Sequence, residues 1–418
     1  VETVGKIAVI GGGAAGMMAA ITAARLGAEV TIYERNDRVG KKILSTGNGK
    51  CNFSNRDFSV EYYYGDKEKL EKYFHQFSVE DAVAFFTGAG MLVRDKGGYL
   101  YPWSEQASTV LDVLRLEVER SGGKSELSTE VKGIKQNGGG RFTILTLEGE
   151  KKKTYDAVVL ACGGCAAPRT GSDGSGFALA KSLGHHVMPT VPALVQLRCK
   201  DSFLKALAGV RCQARLALYS GKKGEKMIQE EEGELQFTDY GISGIPVFQF
   251  SRQAAYLLKN GENALVSIDL LPQFDGPAFE KLCAKRAEGV GNKTLEEFLL
   301  GVANKKVNLM MIKEEGYKPG EMAKKLGTER LKKLLYSYKK LWVHITAVNS
   351  FDCAQATAGG IDMKEVTDEL ESVKMPGVFL AGEMLDVDGR CGGYNLQWAW
   401  TSGYIAGRGA AQRIFDRA

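Results

Sequence analysis

Short unbroken apolar runs alternate with helical periodicity at the start of this chain. Lys6–Ile10 (KIAVI) reads as a strand buried on both faces, the pattern of a parallel sheet. Three successive glycines follow, then an alanine- and methionine-rich helical stretch that closes at Gly27. Glu29–Glu34 (EVTIYE) is a second buried strand, so a βαβ unit opens the chain. Further on, TVLDVLRLEVERSGG has helical periodicity. STEVKGIKQ and RFTILTLEG flank Asn137-Gly138-Gly139-Gly140 as a hairpin would, and YDAVVLACGG (Tyr155–Gly164) is another buried strand that runs into glycines.

From about residue 190 the period changes. ALVQLRC, RCQARLALYS, EKMIQEEEGELQFT and NALVSIDLLP read as antiparallel strands with turn punctuation. A charged helical stretch follows, in which Thr294 and Glu297 have capping-box spacing. Leu331, Leu334, Leu335, Tyr338, Leu341 and Trp342 recur at helical spacing, which predicts one core-facing helix through Trp342. The buried-strand pattern returns in GVFLAGE (Gly377–Glu383), with a last helix from about Leu396. The predicted fold class is α/β: a Rossmann-like nucleotide-binding domain from residues 1–190 and 346–418, interrupted by an insert over 191–345. The insert reads as β-rich over 191–275 and helical over about 276–345.

Composition narrows the function classes. At 418 residues, 44% apolar and 25% charged, the chain is long enough for two or three globular domains. The net charge of +5 is spread thinly, without a block of five or more like charges, and gives no support to a nucleic-acid partner. Eight scattered cysteines without a regular framework fit free thiols in a reducing compartment, so a cytoplasmic location is expected. KIAVIGGGAAGMMAAITAARLG is apolar enough to suggest a membrane span or signal segment. Its glycine triplet favours a sharp turn, however, and the strand that follows is no cleavage site, so no membrane association is expected. Oligomeric state is not legible.

Gly11, Gly13 and Gly16 fit G-x-G-x-x-G between a strand and a helix. The first allows the tight turn, the second lets a diphosphate approach the backbone, and the third brings helix and strand close. Glu34 ends the second strand 18 residues after Gly16, where a carboxylate accepts hydrogen bonds from ribose hydroxyls. Two further strands end in glycine turns far along the chain, one carrying Ala161 and Gly163 and the other Gly382. Between them and the first motif lies the loop GKKILSTGNGKCNFSN (Gly40–Asn55), rich in glycine, lysine and asparagine. A cofactor gripped from so many parts of one chain is an embedded one, which favours FAD over a diffusible nicotinamide.

These segments carry a family resemblance. VIGGGAAGMMAA, YERNDRVGKKILSTGNGKCNFSN, GELQFTDYGISGIP, ATAGGID and PGVFLAGEMLDVDGRCGGYNLQWAWTSG are similar to the BaiN/YhiN family of flavoproteins along the whole chain. The resemblance implies an FAD-binding fold of the glutathione-reductase/fumarate-reductase type, with an inserted β-barrel and a small helical subdomain. It implies FAD contacts at Gly11, Gly13, Ala14, Ala15, Gly16, Glu34, Arg35 and Lys42, and at Ser45, Gly47, Asn48, Cys51 and Asn52 in the flavin-side loop, with Lys42 the expected cationic contact and Lys41 and Lys50 in solvent. Val131 matches the adenine-side strand; Gly382, Glu383, Asn395 and Leu396 match the closing segment. Cys162 and Cys165 stand where the family carries Thr and Ser, and read as two buried thiols or as a redox dithiol.

No nucleophilic triad appears, and the histidines His75, His185, His186 and His344 lack metal spacing, so no metal is expected. Candidate acids are Arg390 and Tyr394 near the flavin motif, and Tyr240 with Ser243 from the insert. A second nicotinamide motif is missing, although Thr170–Gly184 resembles the glycine turn of fumarate-reductase-like flavoproteins. The expected activity is an NAD(P)H-driven reduction of an activated carbon–carbon double bond, such as the enone of a bile-acid- or steroid-like ketone, by hydride from flavin N5. NAD(P)H would be a transient co-substrate and the partner a small molecule. An oxygen-using oxidase of a small amino ketone and a non-catalytic flavin protein remain open alternatives.

Overall fold

Lys6–Ile10 (β1), Glu29–Tyr33 (β2), Lys124–Glu126 (β3), Ala157–Leu160 (β4) and Val378–Leu380 (β5) form one parallel sheet in the order β5-β4-β1-β2-β3. Ile7, Val9, Val30, Ile32, Val158, Leu160, Val378 and Leu380 are all buried, as unbroken apolar runs demand when a sheet is covered on both sides. The computed structural model describes residues 5–415. Two compact units emerge: Val1–Val191 with Phe351–Ala418, and Pro192–Ser350.

In the first unit the turn after β1 is fixed by close approach. Gly11 has φ +102°, and a Cβ there would fall 2.4 Å from the Ala161 carbonyl oxygen at the end of β4. The helix that follows, Ala14–Arg25 (α1), is buried along most of its length. Against it lies the terminal helix Tyr394–Phe415 (α2). Gly403 and Gly407, one turn apart, sit on Ala15 and Ala19 of α1; a Cβ on Gly407 would lie 2.3 Å from the Ala19 carbonyl oxygen. Two stripes of small residues thus bring the backbones into direct contact.

The strands Val131–Gln136, Phe142–Thr146 and Gly149–Tyr155 make an antiparallel sheet, the third strand lying beyond the predicted hairpin. A second hairpin, Val93–Lys96 with Tyr99–Pro102, adds Ser54–Asn55 at its edge.

The second unit holds a closed antiparallel barrel of the strands Leu197–Cys199, Arg211–Ser220, Lys226–Phe237, Gly241–Ser243, Ala264–Asp269 and Leu341–Val348. Helices Gly276–Glu288, Lys305–Glu314 and Gly327–Tyr336 follow the fifth strand. Thr294 and Glu297 do make a reciprocal capping box. The predicted helix through Trp342 is corrected. It ends at Tyr336, a short 3-10 turn holds Tyr338, and Leu341, Val343 and Ile345 alternate inward on the barrel's last strand. The apolar spacing of 3 and 4 hid a change of period at Lys340, whose φ of −154° and ψ of 63° break the helix. The insert accordingly extends to residue 350 rather than 345. Among the described residues no helix is long and apolar enough to cross a membrane.

The contact between α1 and α2 predicts a specific vulnerability. Gly407→Val should lower stability by about 1–3 kcal/mol through overpacking against the Ala19 backbone, read as a drop in the urea or thermal midpoint.

Candidate functional site

A cleft opens in the first unit at the carboxyl ends of β1, β2, β4 and β5. This is where open α/β sheets bind ligands, because the turns leaving those strands diverge there. Gly11, Gly13, Ala14 and Ala15 line its floor. Gly13 caps α1 without a side-chain hydrogen bond, so the helix offers its first-turn amides and positive dipole end to the cleft. A Cβ on Gly13 would meet nothing within 4 Å, whereas one on Gly16 would fall 1.9 Å from the Gly11 carbonyl. Gly16 therefore closes the helix onto the turn and does not itself line the cleft.

Glu34, at the end of β2, is buried and held from three sides. Its Oε2 accepts from the Gly12 amide at 2.9 Å, and its Oε1 accepts from the Asn36 amide and side-chain Nδ2, each at 2.8 Å. Two carboxylate oxygens offer about four acceptor positions, so capacity for a ribose hydroxyl remains. Arg35 lines the same end and is tied to Asp173 at 2.5 Å. Val131, Ala161 and Gly163 complete this half, together with Thr170, Gly171 and Ser172 from the glycine turn noted in the sequence. The buried Ser172 hydroxyl has no protein partner among the described residues, a vacancy suited to a polar ligand group.

At the other half Gly382, Glu383, Asn395 and Leu396 face the cleft from the C-terminal segment, and Lys42 from the 40s loop. The Lys42 ammonium pairs with Glu383 at 2.5 Å, and the second Glu383 oxygen accepts the Thr357 amide at 3.1 Å. This ion pair joins residues from opposite ends of the chain across the cleft. Asn395 lies inside the first turn of α2 rather than at its N-cap. Its amide accepts from Gly389 N and donates to Gly389 O, each at 2.9 Å, which fixes the loop that leads into the helix.

The rest of the flavin-side loop sits differently from its sequence reading. Ser45, Gly47, Asn48, Cys51 and Asn52 do not line the cleft, while their neighbour Thr46 does. Gly47 and Asn48 both take left-handed backbone, at φ 55° and 53°, and fold the loop back on itself. Cys51 is wholly buried, and burial pushes its thiol up to about 12. Lys41, expected in solvent, lines the cleft and pairs with Asp37 at 2.7 Å.

The candidate acids are also relocated. Tyr394 is buried and does not line the cleft; its hydroxyl donates to the Asp57 carbonyl at 2.8 Å and its ring packs edge-on against Tyr62 and Tyr63. Arg390 lies over the Tyr62 ring and does not line the cleft. Tyr240 belongs to the barrel unit, where its hydroxyl accepts from Asn349 Nδ2 at 3.2 Å and Arg198 covers its ring; Ser243 is buried there. Cys162 lines the cleft, but burial foremost, with the nearby Glu34 charge, pushes its thiol up to about 12. Burial also raises the Cys165 thiol. Both cysteines are thiols at neutral pH, not nucleophilic thiolates. Gln355, Thr129 and Glu130 line the cleft with no motif to mark them in the sequence.

These features fit FAD: an unencumbered glycine beneath exposed helix amides, a buried carboxylate with spare acceptor capacity, an orphaned hydroxyl, and room for an extended ligand. The family model described as HI0933-like protein Rossmann domain matches residues 5–409. The 3-dehydro-bile acid delta(4,6)-reductase of Clostridium scindens is 41% identical over 412 residues, 98% of this chain and 99% of that protein. The ribosomal RNA dihydrouridine synthase of Haemophilus influenzae is 29% identical over 403 residues, 95% of this chain and 96% of that one. Among solved structures, the 3-ketosteroid-delta4-(5alpha)-dehydrogenase of Rhodococcus jostii superposes with a TM-score of 0.51 at 19% identity, covering 97% of each chain, a likeness of fold.

Two outcomes test the site. Gly13→Val should leave the thermal midpoint of the flavin-free protein near wild type, because its Cβ enters open space, but weaken FAD retention at least tenfold in ultrafiltration titrations. Alkylation at pH 8 should modify the exposed Cys353 and spare Cys51 and Cys162, whose reaction should rise only as pH approaches their raised values of about 12; peptide mass spectrometry reads the sites.

Proposed function

The chain belongs to the HI0933-like Rossmann-domain family and is an FAD-dependent oxidoreductase, and we propose that it reduces a carbon–carbon double bond conjugated to a carbonyl. The enone of a steroid- or bile-acid-like ketone is the first substrate class. Identity of 41% to a bile-acid reductase across nearly the whole chain carries this reading.

When bound, FAD supplies hydride at flavin N5, and NAD(P)H is the proposed source of that hydride. The first-turn amides of α1 hold the diphosphate, Glu34 accepts the ribose hydroxyls, and Val131 backs the adenine. Gly382, Glu383, Asn395 and Leu396 hold the flavin end, with the first turn of α2 beside it. Lys42, fixed by Glu383, keeps further N–H donors for negative charge that develops at this end. The Glu383 carboxylate in turn is oriented by the Thr357 amide, so the pair is held from both sides.

A second reading has its own support. Uracil carries a double bond conjugated to a carbonyl, and a full-length relative is named a ribosomal RNA dihydrouridine synthase. The same hydride chemistry serves both, so substrate recognition rather than reaction type separates them.

Anaerobic stopped-flow distinguishes the readings. Holoenzyme bleached by NADH or NADPH should recover its oxidised-flavin band on addition of a conjugated 3-ketosteroid, with a product two hydrogens heavier. Recovery with unmodified ribosomal RNA alone would favour the second reading. Oxygen-dependent turnover of an amino ketone, without enone reduction, would replace both with an oxidase.

A further inference from the structure

We propose that the outer face of the hairpin Val93–Lys96/Tyr99–Pro102 is a stacking platform for a single strand of RNA. Its register sets Arg94 opposite Tyr101 and Lys96 opposite Tyr99, while Val93, Leu100 and Pro102 alternate to the other face. The Trp103 amide bonds the Leu92 carbonyl at 2.8 Å, which extends the ladder by one step. Tyr99, Tyr101 and Trp103 therefore stand in a row at every second position of one strand, about 6–7 Å apart.

The row is open at its ends: Trp103 is 60% exposed, Leu92 72% and Tyr99 40%, with Tyr101 half-buried between them, whereas Leu100 on the opposite face is fully buried. The cations are threaded through the rings: Arg94 lies 5.6 Å from the Trp103 centroid and Lys96 5.3 Å from that of Tyr101. Lys50 joins them through Glu105, which receives Lys96 at 2.6 Å, Arg94 at 2.7 Å and Lys50 at 3.3 Å. Three cations share one carboxylate, so the face has positive charge to spare; Asp95 pairs separately with Arg56. Alternating rings and unneutralised cations match bases that stack and phosphates that need counter-charge. A steroid or bile-acid ketone carries at most one anionic group, whereas rings alternating with cations along a strand match successive bases and phosphates.

The platform also adjoins the cleft's loops. A Cβ on Gly392 would lie 2.9 Å from the Tyr99 ring, and one on Gly47 3.9 Å from Tyr101. Asn55, on the neighbouring strand, donates to the Gly392 carbonyl at 2.9 Å. A strand lying on the hairpin would thus run beside the segments that flank Thr46 and Asn395. The chemistry of this proposal rests on the second reading above, but binding itself is measurable without it.

The test is fluorescence anisotropy of a labelled oligouridine with full-length holoenzyme, across a salt series. Wild type should bind, and Tyr99→Ala with Trp103→Ala should weaken binding at least tenfold. Arg94→Gln with Lys96→Gln should flatten the dependence of log K on log salt by about one to two. Glu105→Gln, which frees three cations, should tighten binding severalfold. Arg94, Lys96, Tyr99 and Trp103 are exposed and Glu105 is partly so, and an unchanged thermal midpoint confirms folding. Absence of wild-type binding at low salt, or binding indifferent to both the aromatic pair and Glu105, would overturn the platform. A raised KM for the 3-ketosteroid in the aromatic variant, with oligouridine binding unaltered, would overturn it in favour of a steroid contact. Reoxidation of the reduced flavin by unmodified ribosomal RNA in the same preparations tells failure of the platform apart from failure of the second reading.

Discussion

Contact between the first and last helices is the constraint on which the remaining geometry depends. Ala15 and Ala19 on α1 face Gly403 and Gly407 on α2 so closely that no side chain fits between them. With α2 held there, Gly382 is anchored by the Ser402 hydroxyl at 2.9 Å and by Trp398 Nε1 at 3.1 Å. The same helix reaches the 50s segment through Trp400 Nε1 on the Phe53 carbonyl and Ser54 on Gln397. Segments separated by some 350 residues of sequence thereby share one wall. Small residues at helical spacing permit this because their backbone carbonyls meet at van der Waals distance, where larger side chains would hold the helices apart.

Electrostatics are arranged on that scaffold by pairing rather than by accumulation. The buried Glu34 carboxylate is compensated by three N–H donors, which removes the desolvation cost of leaving it bare. Lys42 and Glu383 neutralise each other across the cleft at its far half. A cofactor of diphosphate type thus meets a neutral-to-positive floor at α1 and fixed dipoles at each end. The thiols contribute no charge, since burial keeps Cys51 and Cys162 protonated.

Relatives that share this scaffold carry names for unlike substrates, a bile acid and a ribosomal RNA. Both contain a double bond conjugated to a carbonyl, so one cleft chemistry is compatible with either. The 93–103 hairpin is the surface proposed above for one such substrate, and its mixture of rings and cations was invisible to a charge count over the whole chain, where 55 basic residues nearly balance 50 acidic ones.

The local grammar of the chain was legible from sequence. Buried parallel strands, the glycine turn, the carboxylate at the end of β2 and the capping box at Thr294 follow from short-range sterics and hydrogen bonding, which neighbouring residues settle among themselves. Gly11, Gly13, Lys42, Glu383 and Asn395, singled out through motif and resemblance together, line one cleft. Tertiary structure decided what depends on partners distant in sequence. It tied the Tyr394 hydroxyl to the Asp57 backbone carbonyl, turned Leu341 and Trp342 into a barrel strand by pairing them with Ala264–Asp269, and set Lys42 on Glu383. An apolar spacing of three and four satisfies a helix end and a strand start alike, and a side chain's hydrogen-bond partner is chosen by whichever acceptor the fold brings near. Neither is encoded within the stretch where the residue itself is written.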